Sequence, residues 1–430
     1  MANYFGILLV AFMIGIPVAV ALGGTGTLLL IFEKGFTLKG LISVSQVVAQ
    51  KGAYGLNNFL ILSVPLFLYA GKIMNTGKIT NRIFSFCKSL VGWLHGGLGH
   101  VNILCSVIFA GMTGTATSDA SGLGAIEIQA MREAGYDDEF TVGVTAGSSL
   151  IGPIIPPSVP LVIYGMMSSA SIGQLLISGF IPGIILAIAL GIYVEIQAKK
   201  RGYPADQKFD GHDIWVKFKQ AFLSLMTPVI LIGGMLSGFF TPTEAAAVAA
   251  LYATILTTVV YKEVDLKKLY KIFLETVIDT GAIMMVCYCA SLYGYIITKS
   301  QVAVKIAQAM LTITTNRTAI VFMLVGFLLV LGCFMENIAI ITIMTPIFVP
   351  VLQAVGFDVM AFGVIMVLSL MVGLLTPPFG MVLFVLAKVS SMQLERVIKA
   401  CIPYIIPVLI VIVLLVFFPE IITFLPSLVM

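Results

Sequence analysis

Of 430 residues, 59% are hydrophobic and 10% charged, with a mean hydropathy of +1.09. A soluble domain carries about 25% charged residues, so a soluble enzyme is excluded and a polytopic membrane protein is indicated. The net charge of +4 sits in short loops, where basic residues set topology rather than bind nucleic acid.

Other chemistries lack their sequence marks. Three His and six Cys show no metal-ligand spacing, and Cys87, Cys105, Cys287, Cys289, Cys333 and Cys401 read mostly as buried thiols. No GxxxxGK phosphate loop is present, and the alternating segments of a membrane barrel are missing. No enzyme activity and no cofactor are expected.

Residues 4–31 form the first apolar run, longer than the roughly 20 residues one span needs, with Pro17 and Gly23-Gly24 expected to kink it. No basic segment precedes it, so no cleaved signal peptide is expected. Glu33, Lys34 and Lys39 mark a surface loop, residues 41–56 are weakly amphipathic, and 57–71 are apolar around Pro65. In 77–95, Lys78, Arg82 and Lys88 alternate with Ile79, Ile83, Phe84, Phe86 and Leu90, and Trp93 stands at the edge. This is either a helix lying in the membrane surface or an ordinary basic loop.

Residues 96–124 start apolar and turn abruptly small and polar, which predicts a re-entrant hairpin with its tip at 111–119. The charges Glu127, Arg132, Glu133, Asp137 and Asp138 predict that 125–138 leaves the membrane. Residues 140–168 re-enter with a break at 147–158, and 172–197 are a conventional span. The basic residues of 199–219 predict a cytoplasmic loop linking two halves. After an apolar stretch at 223–240, Thr241-Pro242-Thr243-Glu244 is a helix start, with Thr243 and Glu244 assigned to the structural cap. A basic piece at 262–271, an apolar run at 276–297 and an amphipathic element between Lys299 and Arg317 follow. A second hairpin is expected near 319–351, a second broken helix near 360–388, and a terminal arm from 401 to 424.

The second half repeats the first. A shift of 221 residues carries Gly111 onto Gly332, Gly135-Tyr136-Asp137 onto Gly356-Phe357-Asp358, Gly152 onto Gly373 and Pro156-Pro157 onto Pro377-Pro378 without a gap. Residues 1–220 and 221–430 are read as the two repeats, each a scaffold arm, a hairpin and a broken helix; the loop charges lean toward an inverted relation. Backbone in lipid must be paired internally, so breaks rich in Gly, Pro, Ser and Thr belong where protein or a polar cavity covers them. Paired breaks of this kind point to the midplane site of a secondary transporter. An ion-coupled carrier, an uncoupled channel or permease, and a non-transporting scaffold remain the three readings. Proton coupling is a variant of the first, with Asp119, Glu244 and Glu336 as candidates.

The chain resembles the large membrane subunit of the tripartite ATP-independent periplasmic (TRAP) transporters over essentially its full length. The marks are Ile108 to Gly114 (IFAGMTG), Ser118 to Gly124 (SDASGLG), Met131 to Tyr136 (MREAGY), Gly152 to Ser158 (GPIIPPS), Phe240 to Ala245 (FTPTEA) and Leu375 to Pro378 (LTPP). Thr113 and Thr115 depart from the Ser, or Ser and Ala, frequent in the family; the hydroxyl at 113 is kept. The resemblance implies an all-α membrane protein with inverted repeats and an elevator mechanism in the bacterial inner membrane. It implies sodium coupling and import of an organic acid, with sialic acid (N-acetylneuraminate) ahead of C4-dicarboxylates. It also implies a soluble periplasmic binding protein and a small four-helix membrane subunit as partners, beside membrane lipids.

With sodium as the ion, a first site is expected from Gly111, Thr113, Thr115 and Ser118 facing Gly152, Pro156 and Ser158. A second is expected from Glu336 and Asn337 facing Gly373, Thr376 and Pro377. Hydroxyls and unwound carbonyls supply oxygens without burying net charge; the alternative for each hydroxyl is a bond to its own helix. The substrate cavity is assigned to Thr117, Asp119, Ser149, Pro157 and Pro378. Asp119 and Glu336 are expected to be mainly structural polar groups and not direct substrate ligands, because a carboxylate repels an anionic substrate; a cap or a share in holding sodium is the alternative for Asp119. The amphipathic elements at 77–95 and 299–317 and the terminal helices are expected in a fixed frame or its connecting arms.

Overall fold

Helix starts follow the side chains able to take free N–H groups. Thr37, Asp137, Ser158, Asp265, Glu336 and Asp358 each accept from the backbone nitrogen three residues on. The computed structural model describes residues 7–429 apart from 9, 12, 13, 15, 58, 76, 204 and 206–208. Much of the start of the run at 4–31, Lys208 and the side chain of Lys78 therefore lie outside the described residues.

The first part of the chain comprises α1 (Val18–Lys34), α2 (Leu38–Leu56), α3 (Ser63–Met74) and α4 (Gly77–Val91). Then come α5 (Gly97–Thr113), α6 (Ala116–Ser121), α7 (Leu123–Glu133), α8 (Asp138–Ser149) and α9 (Val159–Ser168), with α10 (Ile172–Ser178) running almost directly into α11 (Phe180–Arg201). The second part begins with α12 (Gly211–Leu236), α13 (Pro242–Ile255), α14 (Leu266–Lys299) and α15 (Val302–Ile313). It ends with α16 (Arg317–Gly332), α17 (Asn337–Ala354), α18 (Val359–Gly373), α19 (Met381–Ser390), α20 (Leu394–Phe417) and α21 (Glu420–Val429). No strand occurs among the described residues. Among the described residues, six helical stretches are long and apolar enough to cross a membrane, including Ile172–Arg201, Leu266–Lys299 and Leu394–Phe417.

An outer layer packs α1 and α2 on α14, α3 on α13 and α14, and α12 on α4 and α13. Inside it, α8 and α18 are enclosed on all sides: every residue from Phe140 to Ser149 and from Ala361 to Gly373 is buried. α18 is apolar nearly all round and has no face to offer solvent, whereas α8 buries the hydroxyls of Thr141, Thr145, Ser148 and Ser149 among its small residues. The outer helices instead expose apolar side chains, for example Phe273 and Val277 of α14, as lipid-facing helices do. The amphipathic reading of 77–95 holds: α4 buries Ile79, Ile83 and Cys87, spaced by four, and lays Arg82 over the Tyr261 ring.

The repeat is written in the backbone. Gly135 and Gly356 both take positive φ, Asp137 and Asp358 both cap the helix that follows, and Pro156-Pro157 and Pro377-Pro378 are both cis.

Five expectations are corrected. Pro17 stands just before α1 and lies inside no described helix. The basic stretch 199–219 is mostly helix, since Lys199 to Arg201 end α11 and Lys217 and Lys219 lie in α12. Glu127 does not mark an exposed segment; it is buried in α7. The cap of α13 is Thr241, in a reciprocal capping box with Glu244, while the Thr243 hydroxyl is buried without a partner. The terminal helix α20 packs chiefly on α8, α11, α18 and α19 rather than on the helices of the outer layer, and exposes Ile402, Ile406 and Ile410 on its other face. Apolar helices look alike in sequence whether they face lipid or protein.

Candidate functional site

The first hairpin breaks at Gly114 and Thr115. Gly114 caps α5 with φ +63, a left-handed conformation that favours glycine, and Thr115 is extended. A side chain on Gly114 would run into the Pro157 carbonyl, so the tip of the hairpin rests directly on the second break. Gly152 faces the Thr115 carbonyl there, and Ser158 both caps α9 and donates to the Pro153 carbonyl. The tip of the first hairpin and the break after α8 thus meet.

Behind the tip, buried polar groups brace the hairpin. Asn102 donates to Thr145 Oγ1 (2.9 Å), Ser148 donates to Asn102 Oδ1 (2.5 Å), and Ser106 donates to Asp119 Oδ2 (2.9 Å). Asp119 Oδ1 has no partner.

The second repeat does the same with different residues. Gly332 and Gly373 are in backbone contact, and the Phe379 N–H donates to the Cys333 carbonyl (3.1 Å), joining the break before α17 to the break after α18. Glu336 caps α17 by accepting from the Ala339 N–H (3.1 Å). Asn337 follows, buried, with Oδ1 unpaired. Thr376 Oγ1 donates to its own helix at Val372, as Thr113 Oγ1 does to Phe109. A hydroxyl that donates this way keeps lone pairs for a cation.

A cavity of about 550 Å³ lies between the two breaks. Thr113, Thr115, Thr117 and Ser118 line it from one side, Glu336 and Asn337 from the other. The outer helices complete the wall with Lys72 of α3 and Asp279 of α14, paired at 2.6 Å. A neighbouring cavity of about 340 Å³ shares Glu336 and is lined by Gly373. The volume suits a small organic solute, and the lining offers hydroxyls, an amide, one basic side chain and two acidic ones.

Several assigned residues stand elsewhere. Gly111 faces Pro228 of α12 and serves helix contact. Of the substrate-cavity set only Thr117 lines the cavity. Asp119 is buried behind it, Ser149 donates to its own helix at Ala146, and Pro157 and Pro378 lie in the breaks without lining it. Pro156, Ser158, Thr376 and Pro377 likewise shape the breaks rather than the wall.

Sequence reasoning passed over Lys72, Asp279 and Asn102. Asp279 had a usable signal, a lone acid within the apolar run 276–297, since an ionisable group inside a membrane segment marks function by default. Lys72 and Asn102 had none, because what they face depends on packing.

Residues 5–421 match the family model described as the tripartite ATP-independent periplasmic transporter, DctM component. The sialic acid TRAP transporter large permease protein SiaM of Vibrio cholerae is 45% identical over 380 residues, covering 88% of this chain and 89% of that one. The sialic acid TRAP transporter permease protein SiaT of Haemophilus influenzae is 42% identical over 386 residues, covering 90% of this chain; the match spans 63% of that longer protein. The C4-dicarboxylate TRAP transporter large permease protein DctM of Pseudomonas aeruginosa is 32% identical over 370 residues, covering 86% of this chain and 87% of that one. In fold, the chain superposes on the crystal structure of the Alcanivorax borkumensis YdaH transporter, described as having an unusual topology. The TM-score is 0.63 at 14% identity, over 95% of this chain and 97% of that one.

Proposed function

The chain belongs to the DctM component family of tripartite ATP-independent periplasmic transporters, a multi-pass protein of the bacterial inner membrane, and from that premise we propose that it imports an organic acid anion, sialic acid first, coupled to sodium. The observation that carries the proposal is the cavity between the breaks, with oxygens of both repeats on its wall. Sodium is a hard ion and takes oxygen donors. The first break offers the hydroxyls of Thr113, Thr115 and Ser118 beside unwound carbonyls, and the second offers Asn337 Oδ1, buried and unpaired. Neither set adds a net charge, so an ion held there brings positive potential to an anion beside it.

Lys72 supplies a second attraction for a carboxylate, tempered by Asp279 at 2.6 Å. Glu336 serves α17 as a cap and stands at the cavity edge; an anion is excluded from its side unless sodium lies between them.

The moving body would comprise α5–α11 and α16–α21, sliding against a frame of α1–α4 and α12–α15. Close approach of the Gly71 backbone on α3 to the Met112 carbonyl on α5 gives a smooth contact between them. The small four-helix subunit would enlarge the frame, and a periplasmic binding protein would deliver the acid. The preference for sialic acid rests on the 42–45% identity to the two sialic acid permeases against 32% to the C4-dicarboxylate permease.

The test is reconstitution of the chain with its small subunit in liposomes under an inward sodium gradient, with labelled acids and a panel of loaded binding proteins outside. Uptake should appear with the sialic-acid-loaded protein. Uptake only with a dicarboxylate-loaded protein would reassign the substrate. Rapid sodium-driven uptake of free acid without any binding protein would overturn the tripartite reading.

A further inference from the structure

A cavity of about 240 Å³ opens between the C-terminal end of α11, the N-terminal end of α20 and the first turn of α8. It shares no residue with the cavities at the breaks. Its inner wall is Tyr404, whose ring is clamped by α8. A side chain on Gly143 would collide with that ring and come within 2.7 Å of the Ala400 carbonyl, and Gly147 touches the Tyr404 Cβ. Tyr193 meets the ring edge-on at 5.0 Å. The ring is therefore fixed, yet its hydroxyl is buried with no partner. An orphaned buried donor is costly, and each such group asks for an explanation.

The charges around it are unequal. Arg201 is paired with Asp137 at 2.5 Å, and Glu139 is answered by Arg396 at 3.2 Å. Tyr193 already accepts from Gln197 at 2.8 Å. Lys399 lines the same cavity and has no ion-pair partner among the described residues. The remaining charge is positive and stands with the free tyrosine hydroxyl.

Two apolar stripes lead away from this end. On α11, Ile196, Ile192 and Ile188 are exposed at a spacing of four, beginning beside Gln197 of the cavity. On α20, Ile402, Ile406 and Ile410 are exposed at the same spacing, beginning beside Pro403 of the cavity. Both helices are long and apolar enough to span the membrane, so the stripes face acyl chains. Lys199, Lys200 and Arg201 at the end of α11 place this end on the cytoplasmic side by the positive-inside tendency, where anionic lipids concentrate.

We infer that this cavity is a site for the phosphate headgroup of an anionic phospholipid. The Tyr404 hydroxyl and Lys399 ammonium would hold the phosphate, and the acyl chains would lie along the isoleucine stripes. A free phosphate would use the polar end alone. The inference does not depend on which acid is transported.

The test is native mass spectrometry of the purified full chain, titrated with phosphatidylglycerol and with diacylglycerol of the same acyl chains, which lacks the phosphate, and separately with inorganic phosphate. Phosphatidylglycerol should bind about tenfold more tightly than diacylglycerol, the gain expected for one charged hydrogen bond. Tyr404→Phe keeps the ring and its packing, and Lys399→Gln changes an exposed side chain. Each should weaken phosphatidylglycerol alone, and together they should bring it to the diacylglycerol level. Lys267→Gln, in the first turn of α14, should change nothing. Equal binding of the two lipids by the wild-type chain would overturn the site. So would a preference that survives both substitutions, or inorganic phosphate displacing phosphatidylglycerol with the same sensitivity to Tyr404→Phe and Lys399→Gln.

Discussion

Asp119 shows how one side chain braces the first hairpin. Its Oδ2 takes the Ser106 hydroxyl, tying α6 to α5, and its Oδ1 is left without a partner. Asp119→Ala removes the acceptor and leaves a buried hydroxyl unpaired, at a cost of about 1–3 kcal/mol. Asp119→Asn keeps an acceptor oxygen. Thermal unfolding in detergent should therefore show a clear loss for the alanine variant and little for the asparagine variant. Equal losses in both would mean that charge rather than the Ser106 bond is what the hairpin needs. The start of α13 gives a second contrast. Thr241→Ala should cost about 1 kcal/mol by removing the cap. Thr243→Val, which removes a buried hydroxyl with no partner, should be neutral or slightly stabilising. The reverse order in unfolding measurements would restore the cap to Thr243. The pattern TPTE announced a helix start in sequence. Which Thr turns back onto the first N–H groups depends on where the chain bends, and that is set by the preceding turn at Ser237 to Phe240.

Between elements, the contacts are decided by the residues that let backbones approach. Gly143 and Gly147 admit α20 to the face of α8, as small residues do where helices meet in membranes. Gly143→Ala should destabilise the protein by roughly 1–3 kcal/mol through overpacking. Gly326 of α16 has nothing within reach of an added methyl, and Gly326→Ala should be neutral or gain up to about 1 kcal/mol from helix propensity. Melting temperatures of the two variants check this; similar shifts would mean that the α8–α20 contact is looser than described. At this scale the sequence was informative where chemistry forces the backbone. The shift of 221 residues was legible through Gly, Asp and Pro, because positive φ, helix caps and breaks each need particular residues. It was silent where a helix merely changes neighbours. Glu127 looked like a surface residue because a charge in sequence does not say what faces it. The neighbours of the terminal helix could not be read, because an apolar face can meet lipid or protein and α20 has one of each.

For the whole molecule, the two repeats bring their breaks to one cavity while helices outside both breaks close it. The first and second hairpins supply oxygens and an amide, and the outer helices supply the Lys72–Asp279 pair. This division suits a body that carries the site past a frame holding fixed charges. Lys72→Gln should lower the affinity for the acid several-fold while leaving melting temperature nearly unchanged, because half-exposed pairs add little stability. Unaltered uptake at limiting substrate would remove Lys72 from recognition. The placement of the ions is the central claim, and parallel measurement of labelled sodium and labelled sialic acid entering liposomes that contain the chain and its small subunit, with loaded binding protein outside, tests it most directly. The account predicts that sodium and acid enter together, with at least two sodium ions for each acid, and that Asn337→Ala lowers this ratio. Acid entry at an undiminished rate with no accompanying sodium would contradict it.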